Sequence, residues 1–223
     1  MEVVIVLGGP NTKEDIKALL EHRYGKVYED FRFVGVDGGA LRLLDQHLLM
    51  EVAIGDFDSV TKEQRDLIHE AAGTVVQLPS EKDDTDFEAA LLWVKEHYEG
   101  VPIHVLGSFG GRVDHAISTL WTMMRPDLAP LIPYVVFEDA TNVVNFIQPG
   151  TYTIEKMDFT KYLSFISMTP VENLTLQNVK YTLDSKNYAY PVALVSNEFT
   201  GDKMTISFTK GLILVAQTRD HWR

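Results

Sequence analysis

The sequence predicts an α/β unit over residues 1–140, with a mainly parallel sheet and flanking helices, followed by an antiparallel β-sandwich over residues 141–223. Three observations carry this expectation. Up to residue 140, short continuous apolar runs alternate with segments whose apolar residues recur every three or four positions. Beyond Glu138 the period falls to two. Turn-forming pairs then recur at Pro149-Gly150, Gly201-Asp202 and Lys210-Gly211. Alternating strands and helices imply a parallel sheet covered by helices, and period-two segments between turns imply antiparallel strands with one buried face.

Taken in order, the apolar runs are Val3 to Leu7, Phe33 to Val36, Val52 to Ile54, Thr74 to Leu78, Ile103 to Leu106 and Tyr134 to Phe137. Runs of this length suit strands buried on both faces. After Thr85, the residues Phe87, Ala90, Leu91, Val94 and Tyr98 fall on one helical face. After Gly111, Val113, Ala116, Ile117, Leu120 and Met124 do the same until Pro126, and Trp121, Met123 and Met124 are expected in the core. In the second unit, Leu163 and Phe165 flank Ser164, Leu174 and Leu176 flank Thr175, and Met204, Ile206 and Phe208 alternate with Thr205, Ser207 and Thr209. The boundary falls near Asp139 to Asn142.

The composition is that of a globular chain: 45% hydrophobic and 23% charged in 223 residues. With no cysteine, disulfides, zinc-thiolate sites and a thiolate nucleophile are excluded. No apolar run approaches the roughly 20 residues that span a bilayer, so no membrane partner is expected. The start MEVVIVLGGP lacks a basic leader and reads as a buried strand, which leads to the expectation of a cytoplasmic protein. A net charge of −12 argues against nucleic acid as a partner. It leaves room for a small anion with local compensation, because charges beyond about 8 Å are largely screened.

Ligands of open α/β sheets bind beyond the carboxyl ends of the strands. Five apolar runs are followed there by glycine, carboxylate or both: Gly8-Gly9, Asp37-Gly38-Gly39, Gly55 to Ser59, Glu81 to Asp86 and Gly107 to His115. In GDFDS, Asp56 and Asp58 on an extended backbone point the same way, roughly 6–7 Å apart, and can converge on one cation. Mg²⁺ takes oxygen ligands at about 2.1 Å and keeps positions for phosphates and water. The plainer alternative is a solvated turn capping a helix that begins near Val60.

In EKDDTDFEAA, Thr85 and Glu88 fit a capping box, which places Asp86 in the first helical turn. A well-capped helix explains those two residues but not three aspartates beside Lys82, whose like charges repel unless a cation is shared. Asp86 is therefore a third candidate metal ligand. In GSFGGRVDHA, the glycines, Gly111 among them, allow close backbone approach to a phosphate, and Ser108 is a candidate substrate contact. Arg112 supplies a fixed-charge fork at the helix start, with Asp114 and His115 in the same turn. Arg112 and Asp114 pairing on the surface is the simpler account of those two residues. Oxygen ligands, glycine turns and one Arg together point to a Mg²⁺-dependent enzyme acting on a nucleoside triphosphate, since phosphoryl-type transfer needs alignment and charge neutralisation.

The series VDGGA, GDFDS, EKDDTDFEAAL, GSFGGRVDH and SNEF resembles bacterial thiamine pyrophosphokinases, in order along nearly the whole chain. The resemblance implies transfer of the β,γ-pyrophosphoryl group of ATP to the thiamine hydroxyl, yielding AMP and thiamine diphosphate. It implies Mg²⁺ ligands at Asp56, Asp58 and Asp86, and ATP contacts at Gly8, Gly9, Asp37, Gly38, Lys82, Thr85, Gly111 and Arg112. Lys82, Asp83 and Thr85 match positions near ATP or the thiamine hydroxyl, and Arg112 with Asp114 matches a pair that orients ATP. Asp83, Asp86 and Asp114 are all candidates for the general base. The resemblance further implies a homodimer whose site lies between the α/β unit of one copy and the β unit of the other, with Ser196 and Asn197 on the thiamine pyrimidine. Where animal relatives carry a stacking Trp, this chain reads KGLILVAQ. A pyrophosphokinase for another hydroxyalkyl heterocycle, such as a hydroxymethylpterin, or a nucleotide sensor without turnover, is compatible with the first unit alone.

Overall fold

The structure, a computed structural model, describes residues 1–9, 15–58, 60–81 and 83–220. It divides into two compact units, Met1–Ala140 and Thr141–Arg223.

The N-terminal unit is α/β, as its alternating pattern predicts. Its strands are β1 Glu2–Val6, β2 Phe31–Val36, β3 Met50–Gly55, β4 Ala72–Gln77, β5 Ile103–Leu106 and β6 Val135–Glu138. The helices between them are α1 Ile16–Tyr24, α2 Gly38–Asp45, α3 Lys62–Ala71, α4 Asp86–His97 and α5 Val113–Trp121. Within this unit the strands run in the order β6-β5-β1-β2-β3-β4, and every neighbouring pair is parallel. Val3 to Val6 on β1 are fully buried, as a central strand covered on both faces requires. The edge strand β4 is only half-buried, so its apolar residues do not report a central position.

Local chemistry sets the helix ends. Asp15 caps α1, its Oδ1 accepting from the Ala18 N–H at 3.1 Å, and Gly25 ends it at φ 62. Thr61 with Gln64, and Thr85 with Glu88, form complete capping boxes at α3 and α4. After β1 the chain crosses to β2 on one side, whereas β5 and β6 lie on the other. The order therefore reverses between β1 and β5, and loops leaving those two strands diverge into a crevice.

Helix α5 departs from expectation. Val113, Ile117 and Trp121, spaced four apart on one face, are 72%, 51% and 57% exposed, and Trp121 is not a core residue. Periodicity reports that a helix has an apolar face and is silent about what covers it. Met123, in the 3₁₀ turn that follows, is buried as predicted.

The C-terminal unit is an antiparallel sandwich. One sheet holds β12 Ala193–Asn197, β9 Tyr162–Ser167, β14 Ile213–Thr218 and β7 Asn142–Ile147, in that order. The other holds β11 Leu183–Tyr188, β10 Val171–Gln177, β13 Lys203–Phe208 and β8 Gly150–Glu155. Leu163, Phe165, Ile213 and Val215 of the first sheet pack on Leu174, Leu176, Met204, Ile206 and Phe208 of the second. All but Ile213 and Val215 are residues that the period-two reading picks out. Among the described residues, no helix is long and apolar enough to cross a membrane.

Candidate active site

The crevice at the sheet's reversal point is built from glycine contacts. A Cβ on Gly9 would sit 2.1 Å from the carbonyl oxygen of Gly107, so the loops leaving β1 and β5 touch backbone to backbone. A Cβ on Gly39 would sit 1.8 Å from the carbonyl oxygen of Val6, so the first turn of α2 presses directly on β1. Gly8 faces Gly38 at ordinary contact distance. These approaches bring the ends of four neighbouring elements to one cleft of about 880 Å³.

Asp37 sits where β2 turns into α2, at φ 47 and ψ −120, a conformation that strains any residue with a Cβ. Its N–H donates to the Ile54 carbonyl at 2.9 Å, which holds the turn. Its Oδ1 is buried and has no hydrogen-bond partner among the described residues. Burial, and then the nearby charges of Asp86 and Asp56, push its carboxyl above the ordinary range, with Asp58 adding to the effect and the Gly38 N–H opposing it. A strained backbone holding a desolvated carboxylate among like charges is unfavourable by itself. An Asp37→Gly variant is therefore expected to melt at or above the wild-type temperature while losing most of its turnover. A melting curve beside an activity assay checks this, and retained activity would remove Asp37 from the site.

The GDFDS segment is not extended. Phe57 is fully buried at φ 54, so the chain reverses between the two aspartates. Asp56 stays in the cleft lining, where its Oδ1 accepts from the Asp58 N–H at 3.0 Å. Asp58 is exposed and turned to Ser80, whose hydroxyl donates to its Oδ2 at 2.9 Å. The parallel display expected of Asp56 and Asp58 is thus replaced by a tight turn.

The start of α4 supplies the opposite wall. Thr85 Oγ1 accepts from the Glu88 N–H at 3.2 Å, and Glu88 Oε2 accepts from the Thr85 N–H at 2.8 Å. Asp84, Thr85 and Asp86 line the cleft. Asp83 is exposed and is not part of that lining. Lys82 lies outside the described residues. From the loop after β5, Ser108, Gly111, Arg112, Asp114 and His115 also line the cleft. The Ser108 hydroxyl is buried without a hydrogen-bond partner among the described residues. Arg112 grips Asp114 with a fork, Nε to Oδ1 at 3.2 Å and Nη2 to Oδ2 at 2.6 Å. That bond draws the Asp114 carboxyl down to about 2. The surface pair and the cleft position are therefore one arrangement.

In the C-terminal unit, Ser196 is exposed at φ 59, at the bulge where β12 shifts register against β9. Asn197 is buried. Its Oδ1 accepts from the N–H groups of Tyr181 and Glu198, both at 2.9 Å, and its Nδ2 donates to the Tyr181 carbonyl at 2.9 Å. Its amide thus braces a neighbouring loop. Ile213 and Leu214 of the KGLILVAQ stretch are buried.

Sequence reading passed over two residues near the cleft. Asp84 was legible only as one more charge in an acidic run. Arg125 follows α5 by sequence but bonds Asp84 at 2.5 Å, a pairing no local motif signals. The donor set of the cleft fits a hard divalent cation. It offers carboxylate oxygens from Asp37, Asp56 and Asp86, the Asp37 Oδ1 buried without a hydrogen-bond partner among the described residues, together with room for further oxygen ligands. Among the described residues no three such groups are already drawn to metal-ligand distance.

Comparison with known proteins adds an independent line. A profile described as "Thiamin pyrophosphokinase, catalytic domain" matches residues 28–133. Another, "Thiamin pyrophosphokinase, vitamin B1 binding domain", matches residues 151–213. A thiamine pyrophosphokinase of Bacillus subtilis (strain 168) is 33% identical over 218 residues, or 97% of this chain and 98% of that protein. A crystal structure of a thiamin pyrophosphokinase family protein from Enterococcus faecalis is similar with TM-score 0.86 at 33% identity, covering 99% of this chain and 100% of that one. The crystal structure of thiamine pyrophosphokinase from Bacillus subtilis gives TM-score 0.82 at 31% identity, again covering 99% and 100%.

Proposed function

Because the chain belongs to the thiamin pyrophosphokinase family, we propose that its N-terminal cleft holds the triphosphate of ATP while the thiamine hydroxyl attacks. The reaction it catalyses is transfer of the pyrophosphoryl group of ATP to that hydroxyl, giving thiamine diphosphate and AMP. One observation carries the placement: glycine turns and the carboxylates of Asp37, Asp56 and Asp86 share a single cleft at the sheet's reversal point.

In this reading, backbone N–H groups at Gly8, Gly9, Gly38 and Gly111 take phosphate oxygens, with the helix starts adding a favourable field. Arg112 fixes the tail with a permanent positive charge, and Asp114 orients its fork. Thr85 and Ser108 offer hydroxyls to the nucleotide and to the acceptor. Asp37, Asp56 and Asp86 would hold Mg²⁺, with Asp58 joining if it leaves Ser80. Bound there, Mg²⁺ supplies neutralisation of charge that develops on the phosphates. Of the three base candidates, Asp83 lies off the cleft and Asp114 is engaged by Arg112, which favours Asp86, through its oxygen not turned to the cation, as the proposed acceptor of the hydroxyl proton. Lys82 keeps its proposed role on ATP.

Thiamine binding is assigned to the C-terminal unit, with Ser196 and Asn197 toward the pyrimidine. A homodimer is proposed to bring that unit of one copy to the cleft of the other. The exposed stripe of Val113, Ile117 and Trp121 beside the cleft supports a covered face there. Trp121→Glu is expected to shift the protein from dimer to monomer in light scattering and to lower turnover. A monomeric wild-type protein at full activity would refute the shared site. Cytoplasmic location is proposed from a cysteine-free chain that uses ATP. Product analysis tests the reaction itself. Thiamine, ATP and Mg²⁺ should yield AMP and thiamine diphosphate, whereas ADP and thiamine monophosphate as first products would contradict it.

A further inference from the structure

We propose that Arg125 is a positioning residue for the transfer, locking the start of α4 to the turn after α5 and neutralising Asp84 at the wall of the ATP cleft. The inference rests on the reading that this cleft holds ATP.

Arg125 stands between two 3₁₀ turns, Thr122–Met124 and Pro126–Leu131, that follow α5. Asp127 takes one edge of its guanidinium, accepting from Nε at 3.1 Å and from Nη2 at 2.8 Å. This fixes the plane of the group and aims Nη1 at α4. Nη1 lies 2.5 Å from Asp84 Oδ1 and 3.4 Å from Glu88 Oε1. Glu88 is the same residue whose other oxygen closes the capping box on Thr85. A second tie runs nearby, from Lys95 Nζ on α4 to the Asp127 carbonyl at 2.6 Å.

The consequence is mechanical and electrostatic. Thr85 and Asp86 reach the cleft from the start of α4, while Arg112 and Asp114 reach it from the start of α5. Arg125 ties the start of α4 to the turn that follows α5, at the far end of that helix from Arg112 and Asp114, so Thr85 and Asp86 are held in place before a ligand arrives. Asp84 lines the cleft with a carboxylate that would repel a polyanionic tail if it stood alone. Its bond to Arg125 removes that repulsion and keeps its oxygens from competing with the inner carboxylates for a cation. A planar fork suits this double duty, and a lysine would supply charge without the fixed geometry.

Three variants test the proposal, using equilibrium binding of α,β-methylene-ATP, whose scissile position is blocked, together with steady-state kinetics. Arg125→Met keeps length and apolar packing, and is expected to weaken nucleotide binding about tenfold or more. Adding Asp84→Asn to that variant should restore most of the lost affinity, because the exposed charge is gone. A purely structural role for Arg125 predicts no such rescue. Arg125→Lys should hold affinity within about twofold while lowering kcat at least fivefold, since charge remains and alignment does not. Wild-type binding by R125M, absence of rescue in R125M/D84N, or a wild-type kcat in R125K would each overturn the proposal. A wild-type protein that forms no thiamine diphosphate would instead overturn the functional reading, so the two failures are distinguishable.

Discussion

Asp56→Ala is expected to lower kcat/KM by about 10³-fold or more while the fold survives. The estimate follows from what the residue touches. Asp56 lies at the end of β3 in the cleft lining, within reach of Asp37, whose carboxyl it pushes upward. A cation shared with the phosphate tail contributes several kcal/mol of transition-state stabilisation, and each ~1.4 kcal/mol is tenfold in rate. The structural loss is small by comparison. Asp56 Oδ1 accepts one bond from the Asp58 N–H in an exposed turn, a contribution of about 1 kcal/mol. The backbone carbonyl that accepts from Gln77 Nε2 at 2.6 Å is untouched by the substitution. Circular dichroism and melting should therefore resemble wild type while turnover collapses. Near-normal kinetics in Asp56→Ala, and in the matching Asp86→Ala, would remove these carboxylates from the mechanism.

Gly39→Ala is expected to destabilise the N-terminal unit strongly without replacing any of the cleft's carboxylates. The added methyl would meet the Val6 carbonyl oxygen at 1.8 Å and its carbon at 2.5 Å. Both are backbone atoms of the fully buried central strand, so neither can swing aside. Helix α2 must move off β1, which opens the packing of Ala40 and Leu43 in the core and shifts the Asp37 turn. Overpacking against backbone costs about 3 kcal/mol or more, a fall in melting temperature of roughly 10 °C for a unit of this size. Gly25→Ala is the control. Gly25 ends α1 at φ +62 with nothing within 4 Å, so the change costs only the left-handed penalty of about 1–2 kcal/mol. Urea unfolding of the two variants side by side checks the ranking, and an equal loss would show that close packing does not govern Gly39.

The contrast between these glycines shows what the sequence could say. Gly8, Gly9, Asp37, Gly38, Asp56 and Asp86 were legible because each follows an apolar run, and strand ends on one side of a parallel sheet converge whatever the loops contain. The capping box at Thr85 was equally open to reading, since a box is a spacing of three, whereas the matching box at Thr61 emerged only in the structure. The geometry inside GDFDS was not. A buried Phe57 at φ 54 reverses the chain, and its burial depends on a core assembled from distant residues. The exposure of Trp121 was hidden for the same reason, because amphipathicity marks a face and not its cover. Arg125 was invisible because its partner Asp84 lies 41 residues away in sequence. Asn197 carries a signal in SNEF, yet its bonds to Tyr181 could be seen only in the folded unit.

In the proposed mechanism, carboxylates from separate strand ends grip one divalent ion against the phosphates. Crystals grown with Mn²⁺ in place of Mg²⁺, thiamine and α,β-methylene-ATP, measured at the manganese absorption edge, locate that ion directly. The expected result is an anomalous peak about 2.1–2.3 Å from oxygens of at least two of Asp37, Asp56 and Asp86 and from phosphate oxygens of the analogue. A peak bound to the nucleotide alone, with all three carboxylates beyond coordinating distance, would contradict it.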